Sequence, residues 1–311
     1  MRALVVGGNG FIGGHLVDSL LSNGWDVAVF DRSAPRYRPS LREVECFLAD
    51  LGNETMLTAA LPGSDVVFHL ASTTIPKSSN DAPVFDIQSN LVRTTRFLEI
   101  CVKSNVARVV FLSSGGTVYG VPTSLPVSEN HETNPICSYG IVKLAIEKYL
   151  YLFRRLYGLS YVVLRPSNPY GPRQDPMGEQ GAVAVFMGCL ARGLPIEIWG
   201  DGEIIRDFFH VSDLANACLA AATSKTASAI FNVGSGKGTT LNELLEVIAS
   251  IVEKPLDVAF LPDRPFDVPE LVLDTKRARD QLGWFPEISL KEGLADTWQW
   301  ISSLPWSEAP G

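Results

Sequence analysis

A tyrosine and a lysine four residues apart, Tyr139 and Lys143 in the run Y-G-I-V-K, head a strongly apolar helical stretch. Residues i and i+4 share one helix face, so the Lys143 ammonium can reach the Tyr139 phenol. A phenol ordinarily titrates near pH ~10, and a fixed positive charge within hydrogen-bonding reach stabilises its ionised form. The pair is therefore expected to favour the phenolate and to supply a base able to take a proton from a hydroxyl group. The same spacing also arises on any helix that half-buries a tyrosine and leaves a lysine in water. What the pair means depends on what precedes it.

The chain opens with R-A-L-V-V-G-G-N-G-F-I-G-G-H-L, an apolar strand at 3–6 running directly into glycines. Gly7, Gly10 and Gly13 form G-x-x-G-x-x-G, and a helical pattern follows in Phe11, Ile12, Leu16, Val17, Leu20 and Leu21. Such glycines permit a tight turn, let the backbone approach a pyrophosphate and let the helix pack closely, with the phosphates at its N-terminus. The next strand, 26–30, ends in Asp31. An acidic residue about 20 positions beyond the glycines is where the ribose hydroxyls of NAD are held. Asp31 should repel the 2′-phosphate of NADP, although Arg32 beside it leaves a small opening, so NAD is the expected cofactor.

Further strands at 44–49, 65–70, 109–114 and 161–164 close on small or polar residues: Asp50-Leu51, Ala71-Ser72 and Ser113-Ser114 for the first three. That is the expected carboxyl edge of a parallel sheet, where ligands bind. A helix over 84–104 carries Asn90, and G-G-T-V-Y-G follows the 109–114 strand. The fold class is α/β, a Rossmann-type doubly wound parallel sheet with a smaller C-terminal α/β lobe. The even rhythm breaks after R-P-S-N-P-Y-G-P-R at 165–173. Beyond it come a helix near 181–192, I-E-I-W-G at 196–200, R-D-F-F-H at 206–210, a capping box at Thr240–Glu243 and R-P-F-D at 264–267. The expected division is 1–166 and 167–311, interleaved, with part of 206–234 returning to the first lobe. The helix from 139 is apolar on more than one side, which points to a homodimer through the helices near 84–104 and 139–157.

The 311 residues are 46% hydrophobic with a net charge of −8 and no basic cluster, which argues against nucleic-acid binding. Five cysteines, odd in number and widely spaced, fit reduced thiols in a cytoplasm rather than a disulfide framework or a zinc site. Four histidines without ligand spacing indicate no metal. No signal peptide is expected, and no apolar run reaches the ~18 residues of a membrane span.

Taken in order, the glycines, Asp31, Asn90, S-S-G-G-T-V-Y-G at 113–120, Tyr139/Lys143, S-N-P-Y-G-P-R at 167–173 and R-D-F-F-H resemble the extended short-chain dehydrogenase/reductase family. Within it the resemblance is to NAD-dependent nucleotide-sugar epimerases of the UDP-galactose 4-epimerase type, and it covers essentially the whole chain. It implies a transient oxidation at C4 of a UDP-hexose (Glc/Gal or GlcNAc/GalNAc), with NAD recycled and retained through purification. Tyr139 would be the acid/base and Lys143 its tuner and ribose ligand. Gly7, Gly10, Gly13, Asp31 and Asp50 would hold the adenosine and pyrophosphate, with Phe11, Ile12, Arg32, Leu51, Leu70, Ala71, Ser72, Asn90 and Ser113 completing the cofactor site. Asn168, Arg206 and Arg264 would meet the substrate diphosphate and Asp267 the uridine ribose, with Thr74 also on the substrate side.

Two positions depart from or qualify the pattern. Gly115 stands where the family has a serine or threonine that hydrogen-bonds the reacting hydroxyl. Ser114 and Thr117 are the nearest hydroxyls, and alternation along an extended segment favours Thr117. Leu271 stands where related epimerases carry a large aromatic or a small residue, so it leaves the N-acetylated and plain sugars both open. The segment lacks the acidic residues of dehydratases and decarboxylases, which argues against elimination. Two alternatives stay open: a nucleotide-sugar reductase or dehydrogenase with net redox, and a catalytically silent NAD-binding scaffold, for which Gly115 is the support.

Overall fold

The structure, a computed structural model, describes residues 1–37, 39, 43–226, 228–253, 255–263 and 268–306. In chain order the first elements are β1 (Arg2–Val6), α1 (Phe11–Ser22), β2 (Asp26–Asp31), β3 (Glu45–Leu48), α2 (Glu54–Ala60), β4 (Val66–His69), α3 (Pro76–Asp81) and α4 (Pro83–Asp86). A π-helical turn at Ile87–Val92 leads into α5 (Arg93–Lys103), then β5 (Arg108–Leu112), α6 (Gly115–Val118), α7 (Ser138–Tyr157) and β6 (Ser160–Pro166). The remainder comprises β7 (Asn168–Tyr170), α8 (Ala182–Ala191), β8 (Ile196–Trp199), β9 (Ile205–Arg206), β10 (Phe208–His210), α9 (Val211–Thr223) and β11 (Ser228–Val233). It ends with β12 (Thr239–Thr240), α10 (Leu241–Val252), β13 (Val258–Leu261), β14 (Glu270–Leu271), α11 (Lys276–Leu282) and α12 (Leu290–Ser302).

Seven strands form one sheet in the order β11-β6-β5-β4-β1-β2-β3, every neighbouring pair parallel. Successive strand side chains point to opposite faces, and the strands divide accordingly. Ala3, Val5, Val27, Val29 and Phe68 pack with α1 and α9, whereas Leu4, Val6, Ala28, Phe30 and Val67 pack with α2, α5 and α7. Each large apolar side chain withdrawn from water in this way contributes roughly 1.5–3 kcal/mol. Burial on both faces explains why these strands read as unbroken apolar runs. The strand order turns back between β1 and β4, and the crevice at such a switch point is where doubly wound sheets bind ligands. A second core lies around α8, α10 and α12 with β8 and β13. The Thr240/Glu243 capping box opens α10 as the sequence predicts.

Two segments differ from the sequence reading. The helix expected over 84–104 is interrupted by the π turn, and the extended segment expected after β5 is one turn of helix, α6. Gly-Gly-Thr-Val has low intrinsic helix preference, so packing sets its conformation: α6 is seated between α7 and the 271–273 segment.

Candidate functional site

The start of α7 is held by another helix. Its N-cap, Cys137, offers no side-chain cap, and the first N–H groups are satisfied from α3 instead. Ser138 N donates to Asn80 Oδ1 at 2.9 Å and Tyr139 N to Ser79 Oγ at 3.0 Å. Gly140 lets α7 approach α6, since a Cβ there would lie 2.8 Å from the Thr117 carbonyl oxygen. Tyr139 is thus fixed from two sides. It lines one cavity with Lys143, Asp86, Asn90 and, from the end of β4, Ala71 and Ser72.

The electrostatics of the pair correct the sequence reading. Lys143 Nζ donates to the Leu112 carbonyl at 2.9 Å and lies 5.4 Å from the Tyr139 ring centroid. Burial pushes the Tyr139 phenol well above its ordinary value, with Cys137 and Asp86 acting in the same direction. Burial also pushes Lys143 down to about 8, against the pull of Asp86 and Glu147. Desolvation disfavours the charged form of each group. Lys143 is bonded elsewhere, so Tyr139 rests as a phenol and the phenolate is not favoured in this arrangement.

Alternation does not single out Thr117, because 115–118 is a helical turn and not an extended segment. The structure supplies a different reason for attention: Thr117 Oγ1 is buried and has no hydrogen-bond partner among the described residues. Ser114 occupies the N-cap of α6 without making a capping bond. Thr74 and Ser113 are engaged, Thr74 Oγ1 donating to Asp86 Oδ1 at 2.7 Å and Ser113 Oγ to Glu147 Oε1 at 2.5 Å. Gly115 has a steric cause, since a Cβ there would fall 2.6 Å from Leu273 Cδ1 and 2.9 Å from the Arg165 carbonyl oxygen.

At the other end of the crevice the glycine turn is built for close approach. Gly7 has φ +88°, and a Cβ would meet the Ala71 nitrogen at 2.8 Å; a Cβ on Gly13 would sit 2.1 Å from the Gly7 carbonyl oxygen. Asp31 faces this turn, its Oδ2 accepting from Asn9 N at 3.0 Å and its Oδ1 from Ser33 N at 3.1 Å. Arg32 is exposed. Gly10 caps α1 without a side-chain bond, and no acidic residue stands in the first turn with Phe11 and Ile12. The helix therefore presents free N–H groups, as anion binding requires. They border a cavity of about 180 Å³ lined also by Asn9, Tyr37 and Arg173. These residues fit the pyrophosphate of a dinucleotide. Leu70 packs partly buried on the α1 face of the sheet, and Leu51 and Ala71 on the other. Asp50 is ion-paired with Arg93.

Asn90 is buried, donating to Thr74 Oγ1 and Asp86 Oδ1 and accepting from Thr73 N. In the second lobe Arg206 pairs in register with Leu271, which is buried, and Asn168 Nδ2 reaches the Asp207 carbonyl at 3.4 Å. Leu271 Cδ2 would lie 3.9 Å from a Cβ on Gly116, which brings this lobe against α6. Arg264 and Asp267 lie outside the described residues.

Several structural keys escape a sequence reading. Asp86 is fully buried in the Tyr139 cavity. Ser79 and Asn80 hold α7, and Glu147 pairs with Arg165 under the site. Asp207, also fully buried, ties Ser235, Gly236 and Leu273 together by accepting their N–H groups. Glu147 alone carried a usable signal: it lies four residues beyond Lys143 on the same apolar face.

Residues 3–234 match the NAD dependent epimerase/dehydratase family. The UDP-glucose 4-epimerase of Mycolicibacterium smegmatis is 40% identical over 306 residues, spanning 96% of this chain and 97% of that protein. The crystal structure of the Thermotoga maritima UDP-glucose 4-epimerase with UDP-glucose superposes with a TM-score of 0.92 at 38% identity, covering 97% of this chain and 98% of the other. The Thermus thermophilus UDP-glucose 4-epimerase in complex with NAD gives 0.90 at 36% identity, covering 97% and 99%.

Proposed function

Given that this chain belongs to the NAD dependent epimerase/dehydratase family, we propose that it interconverts the C4 epimers of a UDP-hexose, with UDP-glucose and UDP-galactose as the first pair. The observation that carries the reading is the placement of Tyr139 and Lys143 in one cavity with Ala71 and Ser72, at the switch point of the sheet, beside the glycine turn.

NAD would be held by the glycine turn, the free N–H groups of α1 and Asp31, with the residues around Asp50, Leu70 and Ser113 flanking it. When bound, the cofactor supplies a hydride acceptor for the sugar C4 and a positive charge. The chain's own residues do the rest. Tyr139 exchanges a proton with the C4 hydroxyl, and the Lys143 ammonium opposes the cost of the phenolate that forms. Thr117 Oγ1, buried without a partner among the described residues, is the donor that a substrate hydroxyl would satisfy. Asn168 and Arg206 would take the diphosphate, a guanidinium being a strong bidentate partner for phosphate. Gly115 gives no support to a silent scaffold, because its neighbours leave no room for a side chain.

Residues 1–166 are the cofactor lobe and 167–311 the substrate lobe, part of 206–234 returning to the first; in support, α9 packs on the sheet and β11 is its edge strand. Two copies associate through 84–104 and 139–157. Exposed Val84 and Phe85 of α4, Ile87 and Val92 of the π turn, and Ile141, Tyr149, Leu152 and Leu156 in a single stripe of α7 support this. Among the described residues no helix is long and apolar enough to cross a membrane, and all five cysteines are free thiols, which supports a cytoplasmic location.

The test is to release and identify the bound nucleotide, then to offer the purified protein UDP-Glc, UDP-Gal, UDP-GlcNAc and UDP-GalNAc without added NAD. Interconversion of one pair is expected, with NAD released on denaturation. Protein carrying NAD that leaves all four sugars unchanged would sink the proposal.

A further inference from the structure

We propose that Asp86 is the counter-charge of Lys143 across the site cavity, a positioning residue that holds the ammonium charged without forming an ion pair with it. This rests on the reading of Tyr139 and Lys143 as the reacting pair. Asp86 has 0% exposure and lines the cavity that Tyr139 and Lys143 share. Its Oδ1 accepts from Thr74 Oγ1 at 2.7 Å and Asn90 Nδ2 at 2.9 Å, and its Oδ2 from Ser138 Oγ at 2.7 Å. All three donors are neutral. A carboxylate taken fully out of water carries a large desolvation cost that neutral donors offset only in part. No cation makes an ion pair with it among the described residues.

Lys143 presents the complementary case. An ammonium has three N–H donors, and among the described residues only the Leu112 carbonyl accepts from this one. The Phe111 ring lies 4.9 Å from its Nζ, and the titratable groups near it come from three elements. Asp86 comes from α4, immediately before the π turn, and Tyr139 and Glu147 from α7 itself. Glu147 is already held bidentate by Arg165 of β6. His69, at the end of β4, is held down to about 3 by burial and by Lys143, and so is neutral. Among the described residues Asp86 is therefore the one carboxylate near Lys143 that has no cation of its own. π turns recur at functional sites, and this one follows directly on Asp86 and carries Asn90, its hydrogen-bond donor.

If Asp86 supplies the opposing charge, its removal makes the buried ammonium easier to deprotonate. The test uses the protein as purified, labelled with ¹³Cε-lysine, with the Lys143 resonance identified by its loss in Lys143→Arg. Asp86→Asn should lower the Lys143 titration midpoint by about one pH unit or more, and the alkaline limb of turnover should move with it. Ser138→Ala, which removes a hydrogen bond and keeps the charge, should leave the midpoint close to wild type. An unmoved midpoint in Asp86→Asn overturns the proposal whatever happens to activity. So does an equal shift in Ser138→Ala, which would mark a packing role. If Asp86→Asn does not fold, Asp86→Ser is read in the same way: it too removes the charge and should lower the Lys143 midpoint, and an unmoved midpoint overturns the idea. Because the titration needs no turnover, a shifted midpoint in a protein that epimerises no UDP-hexose would sink the functional reading alone.

Discussion

Asp86 and Glu147 are both carboxylates buried against α7, yet among the described residues only Glu147 touches a cation. Glu147 accepts from Arg165 Nε at 3.0 Å and Nη2 at 2.5 Å, and from Ser113 Oγ; Arg165 Nη1 continues to the Tyr119 hydroxyl at 2.9 Å, and Tyr119 to Asn232 at 2.6 Å. That network joins the ends of β5 and β6, α7, the residue after α6 and β11 in one fixed arrangement. Among the described residues Asp86 has neutral donors only, and Lys143 lines the same cavity without pairing with it. A directly paired charge makes scaffold. A buried charge without a direct partner depends on neutral donors alone.

The largest effect that would sharpen this comparison is on stability. Glu147→Ala strands the Arg165 guanidinium and should cost about 3–5 kcal/mol in denaturant unfolding. The double change Glu147→Met with Arg165→Met should recover much of that loss, because it leaves no buried charge unpaired. A single variant as stable as wild type would erase the distinction.

Tyr139→Phe should do the opposite, leaving the unfolding midpoint nearly unchanged while turnover falls roughly 10²–10⁴-fold, the usual range for an acid/base group. Steady-state kinetics and a thermal melt on the same sample check both halves.

Lys143 gives a pH signature. Its folded-state value is depressed to about 8 from 10.5, so between those values the unfolded chain binds more protons than the folded one. Stability from this group therefore rises as pH climbs through about 8 towards 10.5, by up to about 3 kcal/mol. The wild-type minus Lys143→Met difference in unfolding free energy across that window should show the rise; a flat difference would mean the ammonium is not desolvated.

Thr117→Val should have the smallest effect, a loss of roughly 3–10-fold in turnover, the worth of one neutral hydrogen bond. Ser114→Ala should fall below it. Equal small losses would remove Thr117 from the site.

What the sequence revealed was local. The glycine turn, Asp31 and the Tyr139/Lys143 spacing each depend on a few consecutive residues, and strands buried on both faces announce themselves as apolar runs. Asp86, Ser79 and Asn80 were hidden because they act on α7 from more than fifty residues upstream. Nothing in P-K-S-S-N-D marks it as the cap of a distant helix. The α6 turn was misread for the same reason: two glycines and a β-branched pair do not specify helix, and the contacts that impose it come from Gly140 and Leu273. The fate of the Tyr139 proton likewise turned on burial, which spacing alone does not report.

The most direct test of the account is to incubate UDP-galactose deuterated at C4 with the purified protein, without added NAD, in ordinary water. Oxidation and return at C4 within one closed site predict UDP-glucose that keeps its deuterium at C4. No product, or UDP-glucose whose C4 label has been lost to solvent, would contradict it.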